Sequence, residues 1–241
     1  MMKKTFLTMM VLALSLQTWA QDGNKKSGFF ERVTLIPKVG LNVSNTSLNK
    51  WPGKEFGVEE PETKALIGPV VGIEAEYSVN EWLGASAALL YSMQGRKYDD
   101  VEAQFAAVKA GKMASVVYPN VSKEHHHYIN LPLTANFYLL KGVKGLALRT
   151  GIQLGMMFYE TGVENEYRKE DKQWHERTLS SSLQKFDVSI PIGVSYAMSN
   201  GIQFDLRYNF GLNNISRSAG TIEEKNRVVQ FTVGYRLNIL H

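Results

Sequence analysis

The sequence predicts an all-β fold: an eight-stranded antiparallel transmembrane β-barrel with short periplasmic turns and long extracellular loops. Three observations carry this. First, the stretch from Gly201 to Leu212 alternates strictly. Ile202, Phe204, Leu206, Tyr208, Phe210 and Leu212 fall on one parity, and Gln203, Asp205, Arg207, Asn209 and Gly211 on the other. Side chains on a strand point to opposite faces with period 2, so this stretch has one apolar and one polar face. A helix would scatter the same residues around its axis and bury Asp205 or Arg207. Second, the pattern recurs along the chain, in segments long enough to cross a bilayer as tilted strands of about 9–11 residues. Third, the connections between these segments alternate long and short, as they do in transmembrane barrels.

The N-terminus precedes the fold. Lys3 and Lys4 form a basic region, Phe6 to Leu16 an apolar core, and Thr18-Trp19-Ala20 a small-residue cleavage site. Residues 1–20 therefore read as a cleaved signal peptide. Residues 21–32 are a polar, glycine-containing lead-in, and residues 33–241 are the barrel. After residue 20 no apolar run reaches the roughly 18 residues of a membrane-spanning helix, so any crossing is made by strands closed on themselves. Loss of Lys3 and Lys4 lowers the formal charge from +4 to +2, and export argues against a nucleic-acid partner. Cysteine is absent, which excludes disulfides, thiolate metal ligands and a lipidated cysteine.

In order, the first strand sets Leu35, Pro37, Val39, Leu41 and Val43 against Ile36, Lys38, Gly40, Asn42 and Ser44. A long loop, Asn45 to Thr63, follows. The second strand sets Pro69, Val71, Ile73, Ala75, Tyr77 and Val79 against Val70, Gly72, Glu74, Glu76 and Ser78. Asn80-Glu81 makes a tight turn into the third, with Leu83, Ala85, Ala87, Leu89, Tyr91 and Met93 opposite Gly84, Ser86, Ala88, Leu90, Ser92 and Gln94. Arg96 to His127 reads as the longest connection, and Val101, Phe105 and Val108 inside it sit at helical spacing. The fourth strand runs from Ile129 to Leu139, and the fifth from Leu146 to Phe158 with Arg149 on the polar parity. Glu160 to Gln184 is a charged loop. The sixth strand runs from Phe186 to Met198 with Asp187 on the polar parity. Ser199-Asn200-Gly201 turns into the seventh strand, Asn213 to Lys225 is a polar loop, and the eighth strand spans Val229 to Ile239 with Arg236 on the polar parity.

Period 2 does not by itself say which face is inside. A soluble lipocalin-like barrel would turn the apolar face inward. The polar face here is mostly Gly, Ala, Ser, Thr, Asn and Gln, with a lysine only at Lys38, which suits the crowded interior of a narrow barrel. Tyr91, Phe158 and Phe186 lie towards the long-loop ends of the apolar faces, and Tyr77 and Tyr196 towards the short-turn ends. Such rows form girdles at the membrane interfaces. The inward parity then carries Lys38, Arg149, Arg207 and Arg236 together with Glu74, Glu76, Asp187 and Asp205. Four positive and four negative groups in a narrow interior are expected to form a salt-bridge plug.

Several motifs resemble the PorT-type outer-membrane β-barrel family: Lys38-Val39-Gly40-Leu41-Asn42-Val43-Ser44-Asn45, Leu90-Tyr91-Ser92-Met93-Gln94-Gly95, Lys185-Phe186-Asp187, Arg207 to Ile215, and Gly234-Tyr235-Arg236-Leu237. The likeness runs from Val33 onward. It implies an eight-stranded outer-membrane barrel in contact with outer-membrane lipids and lipopolysaccharide. Delivery by the barrel-insertion machinery is implied too, although this chain closes on Ile239-Leu240-His241 rather than an aromatic. Secretion-system components are a further implied partner, since the family's named member is linked to type IX secretion.

For chemistry, His125-His126-His127 is the most conspicuous cluster, and His175 in the next long loop is its natural complement for a metal. Adjacent histidines on a strand point in different directions, so a solvated loop is the plainer reading. Ser92 and His127 are the candidates for a lipid-modifying enzyme, although Ser92 has polar-face parity and no orienting carboxylate is identifiable. The stretch Glu160 to Lys185 mixes Arg168, Lys169, Lys172 and Arg177 with Glu164, Glu166, Glu170 and Asp171. It is either a solvated charged loop or a partner-binding one. There is no Gly-rich phosphate loop and no paired catalytic carboxylate spacing, so no cofactor is expected. The expectation is a structural, binding or secretion-accessory barrel, not an enzyme.

Overall fold

A computed structural model describes residues 32–50, 63–98, 116–118, 123–138, 145–168, 173–178, 184–216 and 223–238. Its strands are β1 (Val33–Lys50), β2 (Thr63–Ser78), β3 (Leu83–Tyr98), β4 (Val116–Tyr118), β5 (Lys123–Phe137), β6 (Leu146–Thr161), β7 (Val163–Arg168), β8 (Gln173–Thr178), β9 (Phe186–Ala197), β10 (Ile202–Gly211), β11 (Glu223–Tyr235) and β12 (Leu237–Asn238). The main sheet runs β11-β10-β9-β6-β5-β3-β2-β1 and closes through β1–β11 pairing. Each neighbour is antiparallel to the next, which makes a closed eight-stranded barrel. After a break at Arg236, β12 keeps the register of β11 against β1, with Leu35 opposite Leu237.

The faces fall as the alternation requires. In β10, Leu206 is 49% exposed, whereas Gln203 is 1% exposed. Val39, Ile73, Leu89, Ile152, Ile192 and Phe231 are likewise on the outside, and Lys38, Glu74, Arg149, Asp205 and Arg207 are buried inside. A soluble lipocalin-like barrel would reverse these faces. Short turns close one end. Asn80 Oδ1 accepts from the backbone of Trp82 and Leu83, and Gly201, at a positive φ of 90°, completes the β9–β10 turn. Only glycine takes that conformation without strain.

At the other end the strands run further than the sequence suggests. The connections read as Asn45 to Thr63 and Asn213 to Lys225 are shortened by β1, which reaches Lys50, and by β11, which starts at Glu223. The connection read as Arg96 to His127 is shortened most. β3 continues through Tyr98 and β5 begins at Lys123, so Arg96 and the three histidines lie on paired strands. Within the charged stretch after Glu160, β7 and β8 form a hairpin that β4 joins as a separate three-stranded sheet. The helical spacing at Val101 to Val108 lies outside the described residues, as do residues 1–31.

Candidate functional site: the polar interior

Seven of the eight charged residues placed on the inward face meet in one connected network near the short-turn end. Lys38 Nζ on β1 donates to Glu74 Oε2 on β2 at 2.9 Å and to Asp205 Oδ2 on β10 at 2.6 Å. Arg149 on β6 lies between the same two carboxylates: Nη1 donates to Asp205 Oδ1 and Nη2 to Glu74 Oε1. Its Nε donates to Asn136 Oδ1 at 2.9 Å and Nη2 also reaches Ser86 Oγ. Arg207 approaches only loosely, with Nη2 at 3.8 Å from Glu74 Oε2 and no hydrogen bond to that nitrogen.

One turn nearer the short-turn end, Arg236 donates to Glu76 Oε1 at 2.8 Å and to Gln203 Oε1 at 2.7 Å. Gln203 in turn donates to Asp205, which links the two layers. Tyr138, just beyond β5, donates its hydroxyl to Glu76 at 2.9 Å. Burial first, and then the Glu76 carboxylate, raise the Tyr138 phenol pKa, so the hydroxyl stays protonated as a donor.

Asp187 is the one member that stands apart. It accepts from Asn226 at 3.1 Å, beside Tyr128, and makes no ion pair among the described residues. The sequence expectation of a balanced four-against-four plug is corrected here: the network holds four bases against Glu74, Glu76 and Asp205. Parity places a residue on a face but not at a height, and Asp187 is the second residue of β9, at the long-loop end.

On the neighbouring strands β2 and β3, Val70, Ala88 and Leu90 form a small buried apolar cluster on one side of the bore. Beyond it lies a second charged group that sequence reasoning missed. Arg96 Nε donates to Glu124 Oε2 at 2.7 Å, and Arg96 Nη1 lies 3.1 Å from Glu224 Oε2 and 2.9 Å from Thr46 Oγ1. His126 is fully buried, with Nε2 at 3.7 Å from both Glu124 Oε2 and Glu160 Oε1. The signal was present. Continuing the alternation Ser92, Gln94, Arg96 on one strand and Asn130, Tyr128, His126, Glu124 on the next places Arg96, His126 and Glu124 inward.

The three adjacent histidines do not share a site. His126 faces the interior. His127 faces outward, where its Nδ1 is 2.8 Å from Tyr91 Oη and its ring packs against Phe158 and Tyr159. His175 lies in β8 opposite Glu166. The Ser92–His127 dyad is not formed either. Ser92 is inside, bonded to Asn42 and Gln94 at 2.8 and 2.9 Å, on the opposite side of the wall from His127.

Residues 19–217 match the family model described as outer membrane protein beta-barrel domain. The chain belongs to this family. Solved structures of similar shape include the attachment invasion locus protein Ail of Yersinia pestis, at 14% identity and a TM-score of 0.44, covering 86% of this chain and 99% of that one. They also include OprG of Pseudomonas aeruginosa, at 13% identity and 0.42, covering 88% and 98%. The protease OmpT of Escherichia coli is a more distant likeness, at 9% identity and 0.36, covering 88% and 99%. Likenesses of this degree carry no weight about activity. No curated protein matches the chain. As a family member with its apolar face outward, the chain is an outer-membrane barrel.

Proposed function

We propose that this outer-membrane barrel is a closed, non-catalytic protein that presents its extended strand ends and loops outside the cell. The observation that carries the reading is the ion-pair layer across the bore, where Lys38 and Arg149 tie Glu74 and Asp205 together. A pore would keep such groups on the walls around water. The chain is exported by cleavage after Ala20. Its short turns and both termini face the periplasm, and its apolar wall contacts lipopolysaccharide and other outer-membrane lipids. The family and the outward apolar face support this placement. Fractionation with gel mobility before and after boiling tests it. The expected result is an outer-membrane protein that shifts on heating; recovery in the soluble periplasm overturns the reading.

A secretion-accessory role of the type IX kind is the finer reading, supported by the PorT-like motifs such as Arg207 to Ile215. Deleting the gene and assaying type IX cargo in the medium decides it. Normal cargo release leaves the barrel a structural or binding protein.

A further inference from the structure

The chain between β10 and β11 does not simply leave the barrel. β10 ends at Gly211 and β11 begins at Glu223. Between them Ile215 is fully buried, against Tyr128 on β5 and Met157 on β6. Specific hydrogen bonds turn the chain inward there. Asn213 Oδ1 accepts from the Val188 N–H at 2.7 Å, and its Nδ2 donates to the Phe186 carbonyl at 2.9 Å. Asn214 Oδ1 accepts from the N–H groups of Ser216 and Glu224, each at 2.9 Å. Ile215 donates its N–H to the Glu224 carbonyl at 2.9 Å, and its own carbonyl accepts from Gln184. Beside it Tyr128 reaches across the bore, where Asn226 Nδ2 on β11 donates to its hydroxyl at 3.4 Å. In the closed sheet β5 and β11 face each other, four strands apart in either direction.

We infer that residues 212–216 are a lid, which closes the long-loop side of the bore by seating Ile215 on Tyr128 and Met157, and which opens by withdrawing that side chain while the wall stays intact. This closure is separate from the ion pairs. Along β11, Asn226 lies six residues from Thr232, the partner of Asp205 in register, or roughly 20 Å at about 3.3 Å per residue. The stretch between is lined by amides: Asn42, Asn130, Gln153, Asn209 and Gln230 are all buried. Both amide atoms of Asn209 and of Gln230 lack a hydrogen-bond partner among the described residues. Walls of that kind favour water, so an apolar side chain is what keeps outside solvent from running in. Ile215 is suited to move because it belongs to a connection. The wall residues are held by ladders on both sides, whereas the lid rests on one apolar side chain and a few hydrogen bonds, the sort of segment that opens locally.

The test exploits the absence of cysteine from the chain. Gln230→Cys puts one thiol in the amide-lined stretch, opposite Arg207 and between the ion pairs and Tyr128. The folded protein is treated with a charged methanethiosulfonate reagent, and labelling is followed by mass spectrometry. Labelling should be slow with the lid intact. Adding Ile215→Ser should speed it by about tenfold or more, the effect of one buried isoleucine on an opening equilibrium. Adding Asn214→Ala instead removes two of the lid's hydrogen bonds and should speed it too, so the test survives misfolding of either variant. Heat-shifted gel mobility identifies the folded ones. In a planar bilayer Ile215→Ser should still carry no stable current, since the ion pairs remain. Currents from that variant would support the lid and overturn the ion-pair closure instead. Rapid labelling of the Gln230→Cys protein itself, or unchanged slow labelling in the folded lid variants, overturns the lid.

Discussion

Arg149 donates to Glu74 on β2, Ser86 on β3, Asn136 on β5 and Asp205 on β10, so one guanidinium on β6 joins four other strands. Arg207 lies in the same layer, with one ion pair among the described residues, at 3.8 Å to Glu74. The two arginines are equal by parity and unequal by geometry. Arg149→Ala leaves the buried Glu74 and Asp205 to share Lys38 and should destabilise the barrel by about 3–5 kcal/mol. Arg207→Ala should cost clearly less, since Lys38 and Arg149 still neutralise Glu74 and Asp205. Urea unfolding in lipid vesicles, read by gel mobility, ranks them; a larger loss for Arg207→Ala would show that the network is misassigned. The sequence told that these side chains face inward, because parity needs only neighbours along the chain. It did not tell who pairs with whom, because that depends on the stagger between strands. Nor did it tell that Asp187 lies too far along the bore to join.

Within a single strand, β10 offers the cleanest contrast. Leu206 faces outward, while Gln203 lies inside between Arg236 and Asp205. Leu206→Arg should cost about 2–4 kcal/mol near the bilayer midplane. Gln203→Ala loses two hydrogen bonds in a polar interior and should cost about 1–3 kcal/mol, more than an unbonded lumen residue would. Equal tolerance of Arg at Leu206 and at an outer loop position would place β10 outside the membrane. Close strand packing sets a second limit. A Cβ on Gly72 would run into the carbonyl oxygen of Leu89 on β3, so Gly72→Ala should destabilise the β2–β3 pair by about 1–3 kcal/mol through overpacking. The same unfolding assay measures it.

The strands were legible where a bilayer sets one face against the other. They were lost at Thr46 to Lys50, Arg96 to Tyr98 and Lys123 to His127, where both faces carry polar residues and the alternation loses its contrast. The second charged group sits in those extensions, which is why it was hidden.

Across the whole molecule, closure of β1 on β11 leaves no sheet edge in the membrane and a bore that side chains fill. Going along it from the short turns, Arg236 and Glu76 come first, then the Lys38–Glu74–Arg149–Asp205 layer, with the small Val70, Ala88 and Leu90 cluster on its β2–β3 side. The cavity beside Arg149, Asp205 and Arg207 has a volume of about 10 Å³, room for about one water molecule. A hydrated ion has no path past these ion pairs unless they separate, and separating them strands buried charge. The purified protein in a planar bilayer should therefore show no stable conductance. Arg149→Ala removes the central clasp. It should let brief openings appear that the unmodified protein lacks. Steady, ion-selective channels in the unmodified protein would overturn the plug, and with it the closed reading of the barrel.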